Sequence, residues 1–263
     1  MISRRGFIKQ AGAATAISIV PRFVLGKGYI APSDTLYIAG VGVGGKGQVD
    51  LVGLAGSPDL KTKGHPNAKI AFLCDVDDRQ AAKSRQNFPK AVYYKDFRKM
   101  FEKEAKNMDA VSVSTPDHMH AVVAMAAMQR GKHVYVQKPL THDIYEARML
   151  TEAARKYKVV TQMGNQFASH DCVRIAKEWV DAGLIGDVHT VHAWTDRPVW
   201  PQGIPWPKEK APIPKELDWD LWIGTAEKKD YVQNLVPFNW RGWWDYGTGA
   251  LGDHCNCKRT GRL

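Results

Sequence analysis

The sequence predicts a doubly wound α/β fold over residues 35–164, because short apolar stretches alternate there with helical ones. Near-continuous apolar strands separated by helices are typical of a parallel sheet that is covered on both faces. In such a fold ligands bind outside the carboxyl ends of the strands, so the residues that follow each strand are the informative ones. The predicted strands are Thr35–Val41, Lys69–Asp75, Asp109–Thr115, His133–Gln137 and Val159–Met163, and the clearest helices are Asp117–Gln129 and Asp143–Lys156.

The first two predicted strands end in residues suited to a dinucleotide. The first runs into Gly42-Val43-Gly44-Gly45-Lys46-Gly47, a G-x-G-x-x-G pattern. Glycines at this spacing allow a tight turn and a close approach to a pyrophosphate at a helix N-terminus. The second strand ends at Asp75, whose carboxylate suits the hydroxyls of an adenosine ribose. The same carboxylate would repel a 2′-phosphate, which favours NAD over NADP, although Arg79 nearby keeps NADP open.

The remaining predicted strands also end in polar residues. They lead into Ser114-Thr115-Pro116-Asp117-His118-Met119-His120, Gln137-Lys138-Pro139 and Gly164-Asn165-Gln166. An ammonium fixed at Lys138 can polarise a substrate hydroxyl or relay its proton, and the Asn165 amide can bridge a cofactor and a substrate. The Asp-His-x-His run also suggests metal ligands, but the sequence offers no further partner, so we expect no metal site.

The formal net charge of +10 is concentrated at the two ends of the chain. Residues 1–28 hold five basic residues and residues 254–263 hold three, with no acidic residue in either segment, which leaves +2 for everything between. Binding to nucleic acid requires a basic face on the folded body, so we expect no nucleic-acid partner. No apolar run reaches the ~18 residues of a membrane span, so we expect no stable membrane span either.

The amino terminus resembles a twin-arginine export signal. Ser3-Arg4-Arg5-Gly6-Phe7-Ile8-Lys9 precedes a short apolar stretch, Ala11–Val20, and matches the S-R-R-x-F-[LI]-K pattern closely. A basic amphipathic helix is the alternative, but Gly6, Gly12 and Pro21 are poor helix formers. We therefore predict that residues 1–28 direct the chain to the periplasm, or otherwise out of the cell, through the twin-arginine machinery.

The second half of the sequence differs in composition from the first. All nine tryptophans lie between Trp179 and Trp244, which predicts a domain change near residue 165. Residues 187–196 alternate and predict a strand, whereas residues 197–217 hold six prolines and predict an extended loop. Tryptophan faces can stack on sugar C–H groups. The residues predicted to form a substrate wall are Trp240, Arg241, Trp243 and Trp244.

Together these motifs resemble the Gfo/Idh/MocA oxidoreductases. The resemblance covers nearly all of the chain up to Asp253, including the Asp-Trp-Asp-Leu-Trp-Ile-Gly and Asn-Trp-Arg-Gly-Trp-Trp runs of the second half. It implies a Rossmann domain binding NAD(P) at residues 33–165. It also implies a partial α/β substrate domain with an open, mostly antiparallel sheet at residues 166–253.

The resemblance also implies roles for individual residues. Gly42, Gly44, Gly45 and Gly47 would meet the pyrophosphate of the cofactor, and Asp75 its adenosine ribose. Thr115, His120, Gln137 and Asn165 would lie along the cofactor. Lys138 would lie near the transferred hydride, and Asp253 would take part in proton transfer with the substrate.

The chain departs from the family pattern at two places. Gln137 stands where the Glu-Lys-Pro signature has a carboxylate, and Cys257 stands where a histidine is expected. We therefore expect a chain that is truncated or frame-shifted near residue 253, with residues 254–263 an aberrant basic tail. His254, Cys255 and Cys257 could be zinc ligands, but they lack a fourth partner.

These observations lead to one expected function and two alternatives. We expect an exported NAD(P)-dependent oxidoreductase of a sugar or polyol, with a tightly bound cofactor and weak turnover by this chain. The alternatives are a NAD-recycling glycosidase of the same family and a non-catalytic fragment that binds a dinucleotide or a sugar. A homo-oligomer is compatible with the resemblance, and the sequence does not identify the sugar.

Overall fold

A computed structural model describes residues 34–56, 63–192 and 194–258 of the chain. The described residues from Leu36 onward form one compact unit. The predicted export signal, residues 1–28, lies outside the described residues, as do the last five residues of the predicted tail.

Six strands of the described residues form one parallel sheet. They are β1 Leu36–Val41, β2 Ala68–Cys74, β3 Val92–Tyr94, β4 Ala110–Val113, β5 His133–Gln137 and β6 Thr161–Gly164. Their order across the sheet is β3-β2-β1-β4-β5-β6, and every neighbouring pair is parallel. The order reverses between β1 and β4, which makes the carboxyl ends of these two strands the place where a crevice opens.

The α/β fold predicted for the first half is confirmed. All five predicted strands are present, with ends shifted by at most two residues. Strand β3 was not predicted, because its three residues are too few to show an apolar pattern and none of them is fully buried.

Helices separate the strands and continue into the second half. They are α1 Gly45–Ala55, α2 Asp78–Asn87, α3 Phe97–Glu104, α4 Asp117–Met128, α5 Ile144–Tyr157, α6 Asp171–Asp181, α7 Trp219–Ile223 and α8 Gly249–Lys258. Aspartates start several of them: Asp77, Asp96 and Asp218 accept a backbone N–H in the first turn of α2, α3 and α7. Asp143 and Glu146 form a complete capping box at the start of α5.

The sheet is covered on both faces, as near-continuous apolar strands require. On one face Ala39 and Val41 pack with buried residues of α3, α4 and α5, including Phe101 and Leu150. On the other face Ile38, Ile70 and Leu73 pack with α1 and α2. The two faces use alternate residues of β1, so this strand has a buried side chain on each side.

The open, mostly antiparallel sheet expected in the second half is wrong for the residues that the structure describes. Between residues 166 and 258 these form helices and loops, and the sheet contains only the six parallel strands. Residues 187–196, expected to form a strand, are irregular and exposed where described. Alternation of side chains predicts a strand only when a neighbouring strand is present to pair its backbone groups.

The second half packs instead through an aromatic cluster. Its buried members are Leu217, Trp219, Trp222, Ile223, Tyr231, Val232, Leu235, Trp240 and Tyr246. Trp219 and Trp222 stack with their ring centres 4.9 Å apart. The proline-rich loop predicted at residues 197–217 is confirmed, apart from a single antiparallel bridge between Asp77 and Leu217. That bridge attaches the loop to the chain just beyond the end of β2.

Gly47 allows the closest backbone contact in the glycine loop, and replacing it with alanine tests that contact. A Cβ at position 47 would lie 1.9 Å from the carbonyl oxygen of Gly42, which is backbone and cannot move aside. We expect Gly47→Ala to lower the free energy of unfolding by about 2–3 kcal/mol, as over-packing does. Urea unfolding measures this change.

The matched control is Gly53→Ala in the same helix, α1. A Cβ at position 53 meets nothing within 4 Å, so this change should raise the free energy of unfolding by up to about 1 kcal/mol through helix propensity. Equal effects of the two substitutions would contradict the structure of the loop.

Candidate active site

A cavity of about 630 Å³ opens at the carboxyl ends of the strands. Residues that follow each of the six strands line it, and the second half contributes part of its wall. The predicted site residues that line it are Gly42, Gly44, Gly45, Asp75, Thr115, His120, Gln137, Lys138, Trp240, Arg241 and Asp253. The fold therefore brings together most of the residues that the sequence singled out.

The glycine loop after β1 leaves a helix N-terminus open to this cavity. Gly42 has φ +75°, and a Cβ there would lie 2.7 Å from the backbone of Ser114 and Thr115, so only glycine fits this turn. Gly44 precedes α1 without a side-chain cap, and a Cβ on Gly45 would meet nothing within 4 Å. The first N–H groups of α1 are thus accessible to an anion such as a pyrophosphate.

Asp75 joins the end of β2 to the glycine loop. Its Oδ2 accepts from the backbone N–H of Val43 at 2.8 Å and of Gly44 at 3.2 Å, and its Oδ1 accepts from that of Asp77 at 3.0 Å. Burial raises the pKa of Asp75 to about 6, and these three hydrogen bonds oppose that rise. The carboxyl group is therefore ionised at neutral pH and available as an acceptor.

Two polar groups near the ends of β4 and β6 have no hydrogen-bond partner among the described residues. They are the buried Thr115 Oγ1 and Asn165 Oδ1. Buried polar atoms are normally bonded, so these two fit contacts with a bound molecule. Thr115 lines the cavity, whereas Asn165 lies beside its lining residue Gln166.

His120 connects the ends of β4 and β5. Its Nδ1 lies 2.6 Å from the carbonyl oxygen of Pro139 and its Nε2 lies 2.8 Å from that of Thr115. The ring is almost fully buried. Its position fixes the segment around Pro139, which directly follows Lys138.

Lys138 and Asp253 form an ion pair across the cavity. Lys138 Nζ lies 2.5 Å from Asp253 Oδ1, and only 16% of the lysine side chain and 9% of the aspartate side chain are exposed. Lys138 follows β5, whereas Asp253 lies on α8. The two residues predicted to be catalytic therefore meet, although 115 positions separate them.

Arg241 lies on the wall of the cavity formed by the second half. Its guanidinium carbon is 4.3 Å from the ring centre of Trp240, and its Nη1 donates to the carbonyl oxygen of Phe238 at 3.0 Å. Burial lowers the pKa of Arg241, while the charges of Asp253 and Asp117 oppose that change. A stacked guanidinium in this setting suits recognition of hydroxyl or carboxylate groups.

Besides Asn165, three of the predicted site residues do not line the cavity. Gly47 packs behind Gly42. Trp243 packs edge-to-face on Trp206, and Trp244 is 67% exposed with its ring against His142. Of the predicted tryptophans only Trp240 lines the cavity, and the roles assigned to the individual residues stay predictions.

Several residues that organise the site were not predicted to be site residues. Asp117 Oδ2 accepts from the backbone N–H and the hydroxyl of Thr248, both at 3.1 Å, which attaches the start of α4 to the segment before α8. Asp50 bonds to the side chain of Gln137. The residues 220–225 around α7 also line the cavity. The contacts of Asp117 and Asp50 could not be predicted from a local pattern, because their partners are 131 and 87 positions away in the sequence.

Within the Asp-His-x-His run, His118 serves packing. The His118 ring lies between Trp222 and Tyr246, with its nitrogens 3.1 and 3.3 Å from their carbonyl oxygens. Burial lowers the pKa of His118 to about 4. Among the described residues, no group of three or more His, Cys, Asp or Glu side chains is arranged to hold a metal ion.

The described residues also contain no helix with the length and apolar character needed to cross a membrane.

Two family models match most of the chain. Residues 38–165 match the model for the NAD-binding Rossmann fold of the Gfo/Idh/MocA oxidoreductases, and residues 173–257 match the model for the C-terminal α/β domain of that family. The chain belongs to the Gfo/Idh/MocA oxidoreductase family. The second match extends four residues beyond Asp253, and α8 runs through the same positions.

Individual relatives match over part of their length. Levoglucosan dehydrogenase of Pseudarthrobacter phenanthrenivorans is 25% identical over 116 residues, which cover 44% of this chain and 29% of the relative. A glycosyl hydrolase family 109 protein of Shewanella baltica is 28% identical over 176 residues, which cover 59% of this chain and 37% of the relative. The chain thus spans about a third of the length of these curated relatives.

A solved structure supports the fold. Myo-inositol 2-dehydrogenase of Lactobacillus plantarum aligns with a TM-score of 0.51 at 24% identity, covering 59% of this chain and 43% of that chain. This likeness supports the fold of the aligned part alone.

The raised pKa of Asp75 predicts how stability changes with pH. Because the folded state raises this pKa from 3.8 to about 6, the folded protein holds the proton more tightly than the unfolded chain. The contribution of Asp75 to stability is therefore largest below about pH 4 and is lost as the pH rises through about 6, by about 2–3 kcal/mol.

Comparison with Asp75→Asn isolates this contribution, since other carboxyl groups titrate equally in both proteins. We expect the unfolding free energy of the unsubstituted protein to fall relative to that of Asp75→Asn between about pH 4 and about pH 7. A difference that does not change with pH would show that Asp75 titrates normally.

Proposed function

We propose that this chain belongs to an exported, NAD-dependent oxidoreductase that transfers hydride between the nicotinamide and a carbinol carbon of a sugar or polyol. The meeting of the Lys138–Asp253 pair with the glycine loop and Asp75 in one cavity carries this proposal. Bound NAD would supply the hydride acceptor, and the open N-terminus of α1 would hold its pyrophosphate.

The acid–base step would fall to Lys138 and Asp253. A substrate hydroxyl placed on Lys138 Nζ would be polarised by the ammonium as its carbon loses hydride. Lys138 would give one of its own protons to Asp253, whose Oδ1 lies 2.5 Å from Nζ, and would accept the hydroxyl proton in its place. Both side chains are largely shielded from water, which strengthens their effect on a developing charge.

The surroundings of Asp75 support NAD over NADP. A 2′-phosphate next to the Asp75 carboxylate would meet a like charge. Arg79, which could offset that charge, is held by Asp77 through Nε–Oδ1 and Nη2–Oδ2 bonds of 2.9 and 2.6 Å. Freeing the guanidinium for a phosphate would break this two-point contact.

The wall of the cavity supports a polyhydroxylated substrate. Trp240 offers an aromatic face and Arg241 a set of hydrogen-bond donors at the same place. Sugars and cyclic polyols present C–H groups and hydroxyl groups together, so they use both kinds of contact. The names of the levoglucosan and myo-inositol dehydrogenases among the relatives support the same substrate class.

Export would follow from the Ser3–Lys9 motif at the amino terminus. Because twin-arginine systems move folded proteins, the cofactor would be bound before export and held tightly afterwards. We accordingly expect purified protein to carry NAD, which is released on denaturation and identified by its mass. Folded protein that neither carries NAD nor binds added NADH would defeat this proposal.

Replacement of Asp75 tests the dinucleotide site. We expect Asp75→Ala to weaken NADH binding about 30-fold, the cost of losing one hydrogen bond to a charged group, and to reduce the preference for NADH over NADPH. Fluorescence titration of both dinucleotides measures these changes. Asp171→Ala is the control, since the Asp171 side chain is 83% exposed, and it should bind NADH like the unsubstituted protein.

A second candidate function is a NAD-recycling glycosidase, in which transient oxidation of the sugar permits elimination of the aglycone. The match to a glycosyl hydrolase family 109 protein, which covers 59% of this chain, supports this second candidate. We expect no release of aglycone from aryl glycosides without added cofactor. Release that is lost in Lys138→Ala would replace the dehydrogenase proposal with this one.

A further inference from the structure

The side chain of Gln137, at the end of β5, is buried against a carboxylate from helix α1. Gln137 Nε2 donates to Asp50 Oδ2 at 2.8 Å, and both side chains are buried. The same oxygen accepts from Ser114 Oγ at 3.0 Å, and Asp50 Oδ1 accepts from the ammonium of Lys46. Asp50 therefore joins the glycine loop, the end of β4 and the end of β5.

This contact determines how the Gln137 amide is oriented. An ionised carboxylate only accepts hydrogen bonds, so the amide nitrogen must face Asp50 and the amide oxygen must face away. That oxygen lies 3.3 Å from the backbone nitrogen of Lys138. The amide has little room to move, since a Cβ on Gly164 would lie 2.7 Å from Gln137 Nε2.

We infer that Asp50 is a positioning residue for Lys138 and acts through the Gln137 amide. In this reading Asp50 supplies, from α1, the carboxylate that the Glu-Lys-Pro pattern carries at position 137. Asp50 and Gln137 are then a matched pair, one carboxylate and one amide, and exchanging the two groups preserves the match. The inference rests on the proposed function only for the acid–base role of Lys138.

Trace labelling of lysine amines by acetic anhydride, read by mass spectrometry on the folded chain, measures the placement of Lys138. Lys132 is the internal reference, and its Nζ donates to the carbonyl oxygen of Met108 at 2.8 Å. It directly precedes β5 and so lies at the amino end of that strand, whereas Lys138 follows the carboxyl end. We expect Asp50→Asn to raise the ratio of Lys138 to Lys132 labelling about five-fold, the factor that one buried hydrogen bond is worth.

The exchange of groups provides the rescue. The double variant Asp50→Asn with Gln137→Glu should return the ratio to within about two-fold of its starting value. Asp171→Asn, the same chemical change at an exposed position, should leave the ratio unchanged.

Three outcomes would overturn the inference. A general loosening of the fold raises the labelling of Lys138 and Lys132 together and leaves their ratio unchanged. An unchanged ratio in Asp50→Asn therefore counts against positioning of Lys138 by Asp50. If Asp50→Asn raises the ratio and the added Gln137→Glu does not lower it again, Asp50 and Gln137 do not act as a matched pair. If Asp50→Asn does not fold, Gln137→Leu replaces it, because this change removes the amide that links Asp50 to Lys138. An unchanged ratio of Lys138 to Lys132 labelling in Gln137→Leu would then overturn the inference.

The labelling requires no dinucleotide. A protein that binds no NAD would defeat the proposed function, whereas the Lys138 ratio alone decides the positioning by Asp50.

Discussion

A carboxylate that is removed from water must be hydrogen-bonded, and that constraint shapes the whole cavity. Asp75 holds the glycine loop to the end of β2, and Asp50 holds α1 to the end of β5. Asp117 attaches α4 to the segment before α8, and Asp253 reaches back from α8 to Lys138. Each bond joins elements that are distant in sequence. The strand ends are therefore fixed relative to one another by the protein's own charges, which is the preorganisation that a polar site requires.

The second half completes the site through packing. Its aromatic cluster buries Trp219, Trp222 and Tyr246, and the His118 ring of α4 inserts between two of these residues. The same segment places Arg241 on the cavity wall. Aromatic packing thus determines where the polar groups of the second half lie, since large rings in contact leave few alternative arrangements.

The sequence was informative wherever a local pattern has a single structural meaning. Apolar strands, the glycine spacing and polar residues after each strand predicted the sheet, and most of the predicted site residues line the cavity. The predicted strand at residues 187–196 failed because alternation cannot show whether a partner strand exists. Trp243 and Trp244 were grouped with Trp240 by proximity in sequence, yet of these three only Trp240 lines the cavity. Asp50 was missed because its partner Gln137 lies 87 positions away.

The ion pair between Lys138, which follows β5, and Asp253 of α8 joins two halves of the chain that differ in amino-acid composition. In the proposed function the loops that would face the nucleotide belong to the first half, whereas the residues that would meet the reacting molecule, Trp240 and Arg241, belong to the second. Under that proposal, substitutions around those two positions would alter which compound is accepted and leave the loops of the first half unchanged. A scaffold divided in this way would change its specificity by small steps in one half and keep the proposed hydride transfer in the other.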